Sequence, residues 1–122
     1  MSTSAAIIEK TETGYRGIYC NFDGYPAGVG KILKEHYQDP VKVSELIDLV
    51  EISSLGKRVD PIAEHSWKNP EQGTTVAYHR DRGEKLILAK GCETYKEVVH
   101  AIGANYSYLF EDSIWKLNDK SL

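Results

Sequence analysis

The sequence predicts one α+β domain, built on a mostly antiparallel sheet of about six strands with two to three helices packed on one face. Three observations lead to this prediction. The 122 residues suffice for a single domain spanning residues 1–122. A content of 41% hydrophobic and 27% charged residues is that of an ordinary globular protein. Segments with strand-like alternation are interleaved with helical stripes, and no internal repeat is present.

The first two predicted strands form a hairpin. Residues 5–11 and 15–22 alternate as strands do, and a tight turn at residues 12–14 joins them. The second of these strands places apolar side chains on both of its faces. This pattern suits a sheet that is covered by helices on one side and by another subunit on the other.

Two amphipathic helices are predicted next. The stripe of the first consists of Val29, Ile32, Leu33, His36 and Tyr37. Asp39 and Pro40 are an N-cap and first-turn pair that opens the second helix. The apolar positions of the second helix are Val43, Leu46, Ile47 and Val50. Because the link is so short, the two helices should lie side by side on one sheet face.

The remaining elements follow a long loop at residues 53–73. Residues 74–79 are predicted as a strand, 80–84 as a polar turn and 85–88 as its hairpin partner. Thr94 and Glu97 form a capping box that opens a third helix, which Gly103 ends. Residues 106–110 and 114–117 make a final hairpin. A loop of that length inside a compact domain points to a functional segment, the alternative being disorder.

Charge is unevenly distributed. The net charge of −3 argues against a duplex nucleic-acid binder, whose phosphate contacts usually require a basic excess. Residues 57–90 nevertheless hold seven basic and five acidic residues, against eight and thirteen in the remainder. A small anion would be attracted to this middle segment.

The sequence also predicts a cytoplasmic protein that does not enter the membrane. No apolar run approaches the roughly 18 to 20 residues that a bilayer span needs, and residues 1–14 carry charge where a signal peptide would be apolar. Cys20 and Cys92 lack pairing motifs and are expected to be reduced thiols.

A glycine-rich stretch at residues 24–31 superficially resembles a phosphate loop. Five residues separate its first glycine from the Gly-Lys pair instead of four, and Ile32 stands where a magnesium-binding Ser or Thr is needed. The favoured interpretation is a strand-to-helix turn in which Gly28 and Gly30 permit close backbone approach. An anion held at the helix start is the alternative.

The most informative cluster lies at residues 74–84. A predicted strand there ends in an aromatic ring, a histidine and two guanidinium groups, the set needed to stack on a base and to hold a phosphate. The preceding loop adds a second charged and aromatic group. The candidate ligand-binding residues are Arg58, His65, Trp67, Tyr78, His79, Arg80 and Arg82. The alternative for the turn is a solvated surface in which Arg80 and Arg82 pair with neighbouring acids. The alternative for the loop group is a surface loop with Trp67 packed on the core.

No metal site, cofactor or catalytic residue is predicted. The four histidines show no metal-ligand spacing, and the two cysteines have no partner at a CxxC distance. A nucleophile whose histidine meets it only in the fold stays an open alternative.

Five blocks of the sequence are similar to a family of small phage and prophage proteins. They are GIYCNFDGYPAGVG at 17–30, ISSLG at 52–56, HSWKNP at 65–70, TVAYHRDRGE at 75–84 and YLFED at 108–112. The family that these blocks resemble is that of the anti-Thoeris sponge proteins. The similarity runs through most of the chain, but it does not assign ligand contacts to individual residues.

This resemblance implies a function. Such sponges bind the cyclic ADP-ribose-type signal made by bacterial TIR-domain immune proteins and hold it uncut, and some are multimers that take cyclic oligonucleotides at a separate symmetric site. The expected partner is therefore a small cyclic nucleotide, and the expected assembly is a homo-oligomer, a dimer or an assembly of dimers. Two alternatives remain: an enzyme that degrades the signal, and an inhibitor that binds a host defence protein directly.

Overall fold

The computed structural model describes residues 3–60, 67–70, 72–78, 81, 90–117 and 120–121. The strands among these residues are β1 (Ala5–Thr11), β2 (Gly14–Cys20), β3 (Ile52–Ser54), β4 (Val76–Ala77), β5 (Lys90–Cys92), β6 (Tyr106–Glu111), β7 (Ile114–Leu117) and β8 (Lys120–Ser121). The helices are α1 (Lys31–His36), α2 (Pro40–Ile47) and α3 (Tyr95–Ile102), and a π-helical turn at Pro26–Gly30 leads into α1. In the part of the chain so described, no helix is long and apolar enough to cross a bilayer.

The strands form one mixed sheet in the order β4-β3-β2-β1-β6-β7-β8. The remaining strand, β5, pairs with β2 and is not part of this linear order. The predicted first hairpin is present, with Ala5 opposite Cys20 and Thr11 opposite Gly14. The pairs β1–β6 and β2–β3 are parallel, whereas the other pairs of named strands are antiparallel. The prediction of an α+β fold with a mostly antiparallel sheet is thereby confirmed.

Helices α1 and α2 cover one face of the sheet, as predicted. Their buried side chains join those of one face of β1, β2, β3, β4, β6 and β7 in the main core. Its buried members are Ala5, Ile7, Ile18, Cys20, Val29, Leu33, Tyr37, Val43, Leu46, Ile47, Ile52, Leu55, Val59, Ala77, Tyr108, Phe110 and Trp115. Arg16 also points to this face, where its guanidinium donates to Asp48 Oδ1 at 2.8 Å and Ser44 Oγ at 2.8 Å.

Helix α3 covers part of the opposite face, which the sequence had suggested for another subunit. Val98 packs there with Ala6, Ile8 and Leu109 in a second, smaller core. Adjacent residues of β1 therefore serve different cores, because successive side chains of a strand point to opposite faces. The amphipathic pattern of α3 predicts that one side is buried, but not against which sheet face.

The predicted helix caps are confirmed. Asp39 accepts a hydrogen bond from Val41 N at 2.9 Å. Thr94 Oγ1 accepts one from Glu97 N at 3.2 Å, and Gly103 ends α3 in the left-handed conformation with φ of 67°. Local backbone chemistry thus fixes where these helices begin and end.

The predicted strand at 74–79 is shorter in the structure. Its ladder is limited to Val76–Ala77, and Tyr78 already has helical backbone. Asp81 Oδ2 accepts a hydrogen bond from Ala77 N at 2.8 Å, whereas the next backbone N–H, that of Tyr78, donates to Glu51 O at 3.2 Å beside β3. The Asp81 side chain thus bonds to the edge of β4 that faces away from β3. The predicted partner strand at 85–88 lies outside the described residues, and β5 pairs with β2.

Candidate functional site

Three of the seven candidate ligand-binding residues are described by the structure: Arg58, Trp67 and Tyr78. The other four, His65, His79, Arg80 and Arg82, lie outside the described residues.

The structure brings Trp67 and Tyr78 together. Their ring centroids are 5.3 Å apart and the ring planes are inclined by 39°. Tyr78 directly follows β4, and its backbone N–H donates to Glu51 O at 3.2 Å beside β3. Both side chains are partly exposed. An aromatic pair at the end of a sheet strand is thus open to a planar ligand.

Asn21 is a site residue that sequence reasoning missed. It follows β2 directly, and its Nδ2 donates to the hydroxyl oxygen of Tyr78 at 3.1 Å. The two residues are 57 positions apart in the sequence. The alternation of β2 places Asn21 on a face, but only the pairing of β2, β3 and β4 brings it to Tyr78.

Arg58 lies at the base of the loop. Its Nη2 donates to Gln72 O at 2.8 Å and contacts Thr74 Oγ1 at 3.4 Å. Its backbone forms a parallel bridge with Thr74, in which Arg58 N donates to Gly73 O at 3.0 Å and Arg58 O accepts from Thr75 N at 2.9 Å. These contacts tie the two ends of the loop together, so Arg58 has a structural role besides any contact with an anion.

A buried hydrogen-bond cluster lies between the base of the loop and the core. Thr75 and Tyr37 are fully buried, Gly56 N donates to Thr75 Oγ1 at 3.0 Å, and the Tyr37 hydroxyl donates to Gly56 O at 2.7 Å. A Cβ at Gly56 would lie 2.6 Å from Gly73 O, so glycine is needed for the two backbone segments to approach. The base of the loop is therefore held by buried hydrogen bonds and a close backbone approach.

Lys42 closes this region on the helix side. Its Nζ donates to His36 O at 2.7 Å and to Lys57 O at 2.8 Å, and it lies 4.4 Å from the centroid of the Tyr37 ring. Burial lowers the pKa of Lys42, an effect that the charge of Asp39 partly offsets. The ammonium group joins α1 to the start of the loop.

The glycine-rich stretch at 24–31 is a turn between β2 and α1, with π-helical backbone at Pro26–Gly30, as favoured from the sequence. A Cβ at Gly28 would lie 2.4 Å from Asp23 O, and one at Gly30 would lie 3.1 Å from the Tyr108 ring. Gly28 therefore needs the close backbone approach that glycine permits, whereas at Gly30 the tight contact is with the side-chain ring of Tyr108.

Grooves lined by described residues also lie away from the ring pair. One of about 630 Å³ is lined by Pro26, Gly30, Lys31, Lys34, Glu35 and Gln38. Another of about 530 Å³ is lined by Thr11, Thr13, Tyr15, Arg16, Gly91, Cys92 and Glu93. Gln38 already donates to Lys34 O at 2.8 Å, and the guanidinium of Arg16 is engaged by Glu9 and Asp48.

Within the described ranges, no group of three or more His, Cys, Asp or Glu side chains could hold a metal ion. The thiol of Cys20 is fully buried, and burial raises its pKa to about 12, so it stays protonated near neutral pH. The described chemistry of the site is aromatic and hydrogen-bonding.

Comparison of the chain with protein-family models, with curated proteins and with solved structures finds no match.

Proposed function

We propose that this protein binds a cyclic ADP-ribose-type immune signal in the cytoplasm of an infected bacterial host and sequesters it without cleaving it. The observation that carries the proposal is the pairing of Trp67 with Tyr78, 5.3 Å apart, beside a segment with an excess of basic residues. The similarity of five sequence blocks to the anti-Thoeris sponge proteins suggests the ligand class. Binding requires no cofactor and no catalytic group.

The aromatic pair supplies what an adenine needs. Stacking of a base on an aromatic side chain contributes about 1–3 kcal/mol and requires an accessible ring face. Trp67 and Tyr78 are only partly buried, and the hydroxyl oxygen of Tyr78 accepts from Asn21 at 3.1 Å. An oxygen that accepts in this way keeps its own hydrogen to donate to a ligand.

The charge of residues 57–90 supplies what two phosphates need. This segment has seven basic residues against five acidic ones, and it includes the candidates Arg58, Arg80 and Arg82. Guanidinium groups bind phosphate oxygens in pairs of parallel hydrogen bonds. A ligand with two negative phosphates would thus be attracted to the segment that holds the ring pair.

Sequestration further requires high affinity. Removing a signal present near micromolar concentration takes a dissociation constant of about 1 nM, equivalent to about −12 kcal/mol. Contacts from two subunits would enclose both faces of the ligand and favour such affinity. The proposal therefore includes a homo-oligomer with the ligand at a subunit interface.

The direct test is calorimetric titration of the purified protein with cyclic ADP-ribose isomers made by a TIR-domain enzyme. The nucleotide is then released by heat and analysed by chromatography. Tight binding and release of intact nucleotide is the expected result. A chemically altered nucleotide would show that the protein is an enzyme, and absence of binding would overturn the proposal.

Substitution of the ring pair tests the site. Trp67→Ala and Tyr78→Ala should each weaken binding by about fivefold or more, because each removes a stacking surface worth about 1–3 kcal/mol. Tyr25→Ala is the matched control, since Tyr25 is an exposed tyrosine, 42% accessible, on a different loop. Equal affinities of all three variants and the unsubstituted protein would place the site elsewhere.

One observation favours a second candidate function, direct inhibition of a host protein. Phe22 and Tyr25 are 44% and 42% exposed on one loop, and exposed aromatic side chains are common anchors of protein interfaces. This loop is held by Gly24 N, which donates to Thr3 O at 2.8 Å, and by Tyr108, whose hydroxyl donates to Gly24 O at 2.7 Å. A host protein that co-purifies with the chain, and is lost in Phe22→Ala, would support this candidate.

A further inference from the structure

The position of the Tyr78 ring is not set by its backbone alone. The ladder that precedes it, β4, has two residues, and the N–H of Tyr78 donates to Glu51 O at 3.2 Å. These contacts fix the Cα atom of Tyr78, whereas its two side-chain torsions stay adjustable. A ring that must stack on a ligand needs further contacts that select one rotamer.

Asn21 offers such a contact from a rigid position. Its backbone N–H donates to Ile52 O at 3.1 Å, and the next N–H, that of Phe22, donates to Ser53 O at 3.0 Å. These bonds continue the pairing of β2 with β3, where Cys20 lies opposite Ile52. The Asn21 backbone is thereby attached to the central part of the sheet.

Two contacts then define the ring of Tyr78. Trp67 packs against it with centroids 5.3 Å apart, and Asn21 Nδ2 donates to its hydroxyl oxygen at 3.1 Å. The first contact restrains the ring body and the second restrains its tip. A ring held at both points loses little further freedom when a base stacks on it, which improves affinity through preorganisation.

The side-chain amide also suits an anionic ligand. Its N–H donates to the tyrosine, so the phenol keeps its own hydrogen for a phosphate or ribose oxygen. A carboxylate at position 21 would instead accept that hydrogen and would place a negative charge beside the phosphates.

We propose that Asn21 is a positioning residue, which holds the Tyr78 ring against Trp67 so that the pair is ready to stack on the base of the nucleotide. The proposal rests on the proposed function for the identity of the ligand. Its structural part, the control of the ring pair by Asn21, concerns the free protein and is tested without ligand.

The experiment compares Asn21→Ala and Asn21→Asp with the control Gln38→Ala. Gln38 is also a surface amide that makes one hydrogen bond, to Lys34 O at 2.8 Å, so it matches the chemical change at a different place. Near-ultraviolet circular dichroism reports the ring pair, with Trp67→Ala identifying its contribution. Calorimetric titration with the TIR-generated cyclic ADP-ribose isomers reports binding.

We expect Asn21→Ala to reduce the ring-pair dichroism and to weaken binding about fivefold, consistent with the loss of one hydrogen bond. Asn21→Asp should retain the dichroism and weaken binding more, because it retains the contact but adds a negative charge. Gln38→Ala should change neither signal. A variant Asn21→Ala with the dichroism or the affinity of the unsubstituted protein would overturn the proposal.

An error in the proposed function can be distinguished from an error in the role of Asn21. If the unsubstituted protein binds none of the isomers, the nucleotide ligand is wrong. The dichroism of Asn21→Ala then decides the structural part alone: a reduced band supports control of the ring pair by Asn21, and an unchanged band contradicts it.

Discussion

Cys20 and Cys92 have different surroundings. Cys20 is fully buried, its Sγ lies 3.4 Å from Phe22 O, and burial raises its thiol pKa from 9.0 to about 12. Cys92 is only partly buried, in a groove beside β5. Because the thiolate is the reactive form, Cys20 is protected from modification both by its burial and by its raised pKa, which keeps the thiol protonated.

A thiol reagent at pH 8 should therefore modify one cysteine of the folded protein quickly and the second only after unfolding. The measurement is the number of fast-reacting thiols per chain, with Cys92→Ser as the control that should have none. Two fast thiols in the folded protein would contradict the burial of Cys20.

The raised pKa of Cys20 also predicts that the free energy of unfolding declines as pH rises above about 9, because the thiol of the unfolded chain then ionises and that of the folded chain does not.

Some side chains of the candidate site were predictable from the sequence and others were not. Trp67 and Tyr78 were predicted as ligand contacts because aromatic and basic residues cluster in their segments, and the structure pairs their rings. Asn21 was not predicted, because its contact with Tyr78 spans 57 positions and depends on strand pairing. Arg58 was predicted only as a ligand contact, whereas its hydrogen bond to Gln72 O shows that it also closes a loop.

Among the elements, α2 depends on a cap that the sequence already indicates. Asp39 accepts from Val41 N at 2.9 Å, and its loss would leave that donor without the side-chain acceptor. Asp39→Ala should lower the free energy of unfolding by about 1 kcal/mol, as measured by urea denaturation. Asp39→Ser retains an acceptor and should cost much less; equal losses in both variants would exclude capping as the cause.

The hairpin of β6 and β7 carries an acid-sensitive ion pair. Glu111 Oε1 lies 2.9 Å from Lys116 Nζ, and Glu111 Oε2 lies 3.3 Å from Lys10 Nζ. The hydrogen bond from Lys116 has the largest effect on the pKa of Glu111 and the one from Lys10 the next largest, and both lower it. A carboxylate with a lowered pKa in the folded state stabilises above its ordinary pKa, and this contribution is lost as pH falls through the folded value.

Glu111→Gln should therefore reduce the difference in unfolding midpoint between pH 7 and pH 3. Glu12→Gln is the control, because Glu12 is an exposed carboxylate in the turn of the other hairpin. The effect should be small, as expected for ion pairs near the surface. An unchanged pH dependence in Glu111→Gln would show that the ion pair contributes nothing to folding.

Helix starts, helix ends and hairpins were predictable because each depends on residues within a few positions. Thr94 and Glu97 illustrate this, since the capping box is visible in four residues. The sheet face that α3 covers was not predictable, because β1 offers Ala5 and Ile7 to one core and Ala6 and Ile8 to the other. The pairing of β5 with β2 likewise depends on contacts between distant segments.

At the scale of the whole molecule, β1 connects the two halves of the chain. It pairs with β2 on one side and with β6 on the other, about a hundred positions later in the sequence. Beside this junction Ser4 N and Oγ both contact Asn105 Oδ1, at 2.9 and 3.0 Å. Such distant pairings predict that the described elements unfold together, in one cooperative transition.

Substitutions in the buried cluster at the base of the loop test the cooperative unfolding most directly. Trp115 Nε1 donates to Tyr37 O at 2.6 Å, so Tyr37 links β7 and α1 to Gly56 and Thr75 at the base of the loop. Tyr37→Phe and Thr75→Val each remove one hydroxyl while retaining most of the side-chain volume. Each should cost about 1–3 kcal/mol, because buried polar partners are left unsatisfied.

In a double-mutant cycle, these two substitutions should cost less together than the sum of the single variants, with an interaction of about 0.5 kcal/mol or more. The control pairs Thr75→Val with Tyr108→Phe, whose hydroxyl donates to Gly24 O at 2.7 Å. The control pair shares no hydrogen-bond partner and should be additive within about 0.5 kcal/mol. If both cycles are additive, the hydroxyl groups of Tyr37 and Thr75 act independently and the base of the loop is not a single rigid unit. If the Tyr37–Thr75 cycle alone is coupled, the segment that carries Arg58 and the strand that leads to Tyr78 are stabilised by one shared network, attached to the core through Trp115.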